Sequence, residues 1–154
     1  MNQPAATPQN PAQVVLTMWG ALTMAQFMIV GVGFFLAMQQ GVTPTFALDR
    51  LLPGDGVGAV LYGLAFVVAA GAVVLPPKLA MKTVNDRSDA ARAMVPFLLQ
   101  MAFAEAATLM GFLGAVFMTQ PAVPERLLLP AAAGLVAVML GFPTAARLKT
   151  LAGR

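Results

Sequence analysis

The chain contains no cysteine and no histidine. Disulfides, thiolate chemistry, His-ligated haem and zinc centres built from Cys or His are excluded by that absence. Charge is scarce as well. Lys, Arg, Asp and Glu make up 10% of 154 residues, where a soluble domain carries about 25%. A chain so poor in charge is neither an ordinary soluble globule nor a disordered polymer. What fills it is apolar: 59% of the residues are hydrophobic. The composition predicts a membrane protein of one domain.

Four stretches are long and apolar enough to cross a bilayer, which takes about 20 residues of helix. They are 14–38, 56–77, 93–124 and 127–146, with expected membrane cores at 15–38, 57–75, 95–118 and 128–146. The third contains one charge, Glu105, and the others contain none. The runs are continuous rather than alternating, so helices are expected and not barrel strands. The expected fold is all-α: a polytopic membrane protein of four transmembrane helices, with a disordered cytoplasmic tail over 1–13 and a single transmembrane domain over 14–154. The tail carries no Lys or Arg ahead of the first apolar run, so it does not read as a signal peptide.

The basic residues predict the orientation. Lys78, Lys82, Arg87, Arg92, Arg147, Lys149 and Arg154 fall on the side shared by both termini and the 78–93 connection. Arg50 and Arg126 fall on the other. Seven against two places both termini in the cytoplasm of a bacterial inner membrane. Topology thus accounts for the net charge of +3, and no nucleic-acid partner is expected. Pro76-Pro77 are expected to close span two, and Pro143 to bend or end span four.

The two halves read as copies, about 14–83 and about 94–150. Met24-Ala25-Gln26, Gly31 and Met38-Gln39-Gln40 match Phe103-Ala104-Glu105, Gly111 and Met118-Thr119-Gln120. Met81-Lys82-Thr83 matches Leu148-Lys149-Thr150. Such copies form two parallel-repeat hairpins about an axis along the membrane normal. Gln26 and Glu105 then occupy equivalent positions.

Helices in lipid associate by close packing and interhelical hydrogen bonds, so small residues four apart mark seams. These are Ala107, Gly111 and Ala115 in span three and Ala133, Ala137 and Gly141 in span four. Span two offers Ala59 and Gly63, then Ala69 to Gly71. The eleven methionines show no ligand-like spacing and are expected to fill gaps rather than bind a soft metal. No cofactor, no metal and no enzymatic activity are expected. Asp49, Arg50, Asp55, Glu125 and Arg126 form no clustered acid pair, and Asp49 and Glu125 read as helix-dipole partners beside their arginines.

Glu105 is the one ionisable residue deep in a span. The candidate proton or ion site is Glu105 with Gln26, Thr23 and Thr108. Trp19, Thr23, Gln26, Val30 and Gly33 share one stripe of span one, from which Gln26 is expected to hydrogen-bond Glu105. Two readings stand. Glu105 handles a proton or cation within a homo-oligomer or larger membrane complex, or it is interhelical glue in a non-transporting accessory subunit.

The segment 102–117, AFAEAATLMGFLGAVF, resembles the ion-binding helix of rotary ATPase proteolipids, the c-type subunits. That resemblance implies that Glu105 binds a translocated proton or sodium ion. It covers a tenth of the chain. It also departs from the family, because Glu105 lies on the first helix of its hairpin and span one is not glycine-rich. Four spans with a membrane Glu in an Ala-Glu context are also similar to small multidrug-resistance transporters, whose Glu lies in the first span, where this chain has Gln26. As a whole the chain resembles uncharacterised small four-span bacterial membrane proteins, with Trp19 in span one and an Ala-flanked Glu105 in span three. That likeness implies a fold and no activity.

Overall fold

A computed structural model describes residues 11–52, 56–83, 89–118, 121–144 and 146. Among them every regular element is helical: α1 (Pro11–Gln39), α2 (Val57–Thr83), α3 (Asp89–Phe112) and α4 (Leu128–Leu140). Short helical turns lie over Leu48–Leu51 and Pro124–Leu127, and a π-helical turn over Leu113–Phe117 extends α3. Three helices are long and apolar enough to cross a membrane: Ala12–Gln39, Val57–Pro76 and Met94–Phe117. The protein is thus an all-helical chain with the character of a multi-pass membrane protein.

The helices differ from expectation at their ends. α1 starts at Pro11, inside the stretch expected as tail; proline suits a first helical position because its missing N–H would have no partner there. Residues 1–10 lie outside the described residues. α2 does not stop at Pro76-Pro77 but runs on to Thr83. Proline removes a backbone hydrogen bond, yet helices in apolar surroundings tolerate it where neighbours close the gap. α4 ends at Leu140, six residues short of the expected end, because Gly141 forms a turn and Pro143 follows.

α3 is the central element. It packs against α2 most extensively, then against α4 and α1, whereas α1 meets the bundle through α3 and α4 and not appreciably through α2. A twofold relating the two halves would equate α1–α2 with α3–α4. Only the second is a substantial packed pair.

The seams follow small residues. α2 buries Gly58, Tyr62, Ala65, Ala69, Ala72 and Pro76, a 4-3-4-3-4 spacing that faces one side. The expected seam at Ala59 and Gly63 is displaced by one position: Ala59 is half-buried, and Gly63 is exposed with open space beside it. In α3, Ala107, Gly111 and Ala115 are buried, and in α4 Ala137 and Gly141 are buried while Ala133 is half-buried. A core at one end joins Val15, Phe97, Met101, Ala104 and Val138, with Trp19 and Leu22 against it. A second core at the other end joins Ala115, Val116 and Leu127.

The segment joining α1 to α2 is bent. Gly41 takes φ +78°, and Phe46 takes φ +52°. The left-handed region costs a non-glycine residue about 1–2 kcal/mol. Phe46 compensates in part by stacking on Phe34 of α1, with ring centroids 5.7 Å apart at 17°.

Candidate functional site

Glu105 lies near the middle of the Met94–Phe117 span, at the rim of α3's buried face. Helical spacing places it beside Met101 and Thr108, which are buried, and in line with Leu109 and Phe112. Leu109 and Phe112 border an apolar groove against Met28, Ile29 and Val32 of α1. Glu105 itself is half-buried. Among the described residues its carboxylate takes part in no side-chain hydrogen bond, and the ion pair found there lies elsewhere, between Arg50 and Glu125.

The expected Glu105–Gln26 hydrogen bond is not formed. Gln26 is 1% exposed, and both its Nε2 and its Oε1 lack a partner. Its amide is turned toward the α3–α4 crossing instead. A Cβ added at Gly134 would lie 2.6 Å from Thr108 Oγ1, 2.9 Å from the Ala104 carbonyl oxygen and 3.3 Å from Gln26 Oε1. Thr108 Oγ1 donates to the Ala104 carbonyl at 3.3 Å, and Thr23 Oγ1 donates to the Trp19 carbonyl at 2.8 Å. Both hydroxyls are spent on their own helices, one turn back. The four residues read as a site therefore divide. Gln26 and Thr108 meet at the α1–α3–α4 junction, Thr23 is buried one turn from Gln26 and bonds within α1, and Glu105 stands apart at the rim.

Two further polar side chains tie this junction together, and neither figured among the candidate residues. The regular hydrogen-bond ladder gives out at a helix end, and there the Ala137 and Val138 carbonyls share the Gly141 N–H, each at 3.1 Å, with side chains adding to it. At the end of α4, Gln100 Nε2 donates to the Ala137 carbonyl at 2.9 Å, and Trp19 Nε1 donates to the Val138 carbonyl at 3.2 Å. Trp19 also meets Phe142 edge-on at 5.0 Å. Gln100 carries a visible signal in the sequence, an amide inside an apolar span.

A second polar cluster closes the end of the bundle that carries the α1–α2 and α3–α4 connections. Glu125, expected as a helix-dipole partner beside Arg126, is buried, with an exposure of 0%. Its Oε1 accepts from the Thr45 backbone N–H at 2.9 Å and lies 3.6 Å from Arg50 Nη1. Arg50 Nη1 also donates to Thr45 Oγ1 at 3.0 Å. Glu125 Oε2 is buried without a partner. Close by, Arg126 Nε donates to the Leu52 carbonyl at 2.8 Å and Tyr62 Oη to the Leu51 carbonyl at 2.7 Å. Asp49 is exposed in its turn. Asp55 lies outside the described residues, as do the side chains of Lys82, Arg87, Arg92, Arg147, Lys149 and Arg154.

Among the described residues no group of three His, Cys, Asp or Glu could hold a metal ion. Compared with family models, with curated proteins and with solved structures, the chain finds no match in any of the three.

Proposed function

We propose that this chain is a small integral membrane protein that handles a proton or a cation at Glu105, within an oligomer. One observation carries the reading: a carboxyl group at mid-span, half-buried, and bonded by nothing among the described residues of its own chain. A charged acidic side chain at that depth costs about 2.5–3.5 kcal/mol. Such a cost calls for a proton, a cation or a neighbouring chain at the open rim.

The competing reading makes Glu105 interhelical glue in an accessory subunit. Within one chain its natural partner was Gln26, whose amide Glu105 does not reach. Glue would then have to act between chains. Glu105→Gln and Glu105→Ala separate the two. Gln keeps the shape and bonding of a protonated carboxyl but cannot release a proton. For a proton or cation site, Gln is expected to fold normally, lose ion-dependent activity in vesicles and lose carbodiimide labelling that pH or sodium modulates in the parent. For glue, Gln is expected to match the parent, while Ala costs about 0.6 and at most about 1.7 kcal/mol. An unlabelled parent together with a fully active Gln variant overturns the ion-site reading.

The same proposal includes a fourth crossing and both termini in the cytoplasm. α4 alone spans about 20 Å at 1.5 Å per residue. The turn over Pro124–Leu127 adds about 8 Å at 2.0 Å per residue, which brings the rod close to the hydrocarbon thickness of about 30 Å. Reporter fusions after residues 45 and 122 are expected to read outside, and fusions after residue 86 and at the C-terminus inside. A cytoplasmic signal from residue 122 refutes the four-span layout.

A further inference from the structure

We propose that Glu125 is a proton-binding latch: as a carboxylate it holds segment 42–52 closed over the loop end of the bundle, and on protonation it lets the segment go. The inference stands apart from the reading of Glu105 and survives its failure.

Glu125 is fully buried, yet little holds its charge there. Oε1 has one backbone N–H, from Thr45, and the Arg50 guanidinium at 3.6 Å. Oε2 is buried with no hydrogen-bond partner among the described residues. A buried carboxylate normally collects several donors, and one oxygen here has none among the described residues. Uptake of one proton from solvent by the carboxylate removes the attraction to Arg50. It also weakens the acceptor that Thr45 N–H relies on, because bonds to an ionised oxygen are the stronger ones.

The segment is loaded to move when that happens. The residue after Thr45 is Phe46, held at φ +52°, a conformation that a bulky side chain leaves when it can. Its ring lies on Phe34 but is itself 63% exposed, so little burial opposes release. The two ends of the segment are fastened independently. Val42 N–H donates to the Ala37 carbonyl at 3.1 Å, and the Leu51 and Leu52 carbonyls are held by Tyr62 and Arg126. Between those anchors Glu125 is the tie, shared with Arg50, which reaches both Glu125 and Thr45.

Among the described residues the ionisable groups around the latch are few. The segment brings Asp49 and Arg50, the turn of Glu125 itself brings Arg126, and α2 brings Tyr62. α1 and α4 contain no charged residue, and α3 has none in the stretch that approaches the turn. Among the described residues Asp49 is the one other acidic side chain beside the latch.

The absence of cysteine gives a clean test. Leu48→Cys places a nitroxide label on a residue that is 81% exposed, and Leu140→Cys places a control label on α4. The full chain in lipid vesicles is titrated from about pH 8 to about pH 4, across the ordinary carboxyl range. The label at 48 is expected to lose its immobile component on acidification, reversibly, while the label at 140 does not change. Glu125→Gln is expected to be mobile at 48 throughout, and Asp49→Asn to keep the parent's transition. A label at 48 whose mobility does not change with pH overturns the proposal. So does a transition that persists in Glu125→Gln, an immobile label in Glu125→Gln at all pH values, or loss of the transition in Asp49→Asn. If Glu125→Gln does not fold, the parent and Asp49→Asn still decide.

Discussion

Gly111→Leu is expected to prevent folding of the bundle. Gly111 packs directly against Pro130 where α3 and α4 meet at their loop end. A Cβ built there lies 2.5 Å from Pro130 Cβ and 2.9 Å from Pro130 Cγ. A proline ring has no rotamer to swing away, so the added atoms must separate the helices or bend α4. Overpacking a tight interior costs about 1–3 kcal/mol where neighbours can adjust, and a leucine against a ring is expected to exceed about 3 kcal/mol. Detergent-solubilised protein should then be lost from the folded peak in size-exclusion chromatography. Gly111→Ala is the graded version, with a smaller loss in reversible unfolding. Pro130→Gly, which removes the opposing Cβ, should restore part of that loss, as contacting pairs couple in a double-mutant cycle. A Gly111→Leu variant as abundant and stable as the parent shows that this approach is not required.

Gly134→Ala is the second large effect expected, from a single methyl group. That methyl would stand 2.6 Å from Thr108 Oγ1 and 2.9 Å from the Ala104 carbonyl oxygen. The hydroxyl can rotate away. The carbonyl cannot, because it belongs to the backbone of α3. The expected cost is about 2 kcal/mol, within the range for overpacked cores. Thr108→Ala in the same chain should recover only part of it, since the carbonyl contact remains. The loss should also reach across the junction: the Trp19 environment, read by its fluorescence, is expected to shift, because Trp19 bonds the Val138 carbonyl one turn further along α4. A Gly134→Ala variant with parental stability and an unshifted Trp19 spectrum would mean that α3 and α4 do not approach so closely there.

The helices themselves were legible from the chain. Expected membrane cores at 15–38, 57–75 and 95–118 stand against candidate spans Ala12–Gln39, Val57–Pro76 and Met94–Phe117. The reason is local. A run of about 20 apolar residues in lipid must satisfy its own backbone groups, and a helix does so within the run, whatever its neighbours. The depth of Glu105 follows from the same count. So does the inward stripe of α1: Thr23, Gln26 and Gly33 are buried, and Trp19 and Val30 are half-buried against the bundle.

Which face of the other helices turns inward was not legible in the same way. In a soluble helix water sorts the faces, but α2 carries no charge on any side over 57–77, and lipid accepts any of its sides. Its inward stripe, Gly58 to Pro76, is set by shape alone, one position away from the pair Ala59 and Gly63 that spacing suggested. In α4 the run Ala131-Ala132-Ala133-Gly134 offers several small faces, and contact with Thr108 and Ala104 of α3 selects Gly134. Glu125 shows the same limit for charge. Beside Arg126 at the end of an apolar run it reads as a helix-dipole partner, and only the tertiary fold buries the carboxylate and brings up Thr45 and Arg50, some 80 positions away for the hydrogen bond. The sequence by itself determined that the chain is helical and suited to a membrane, and where along each helix its polar groups lie. Tertiary structure alone decided which of those groups meet, because in an apolar medium steric fit between small residues, and not solvation, fixes the rotation of helices such as α2 and α4.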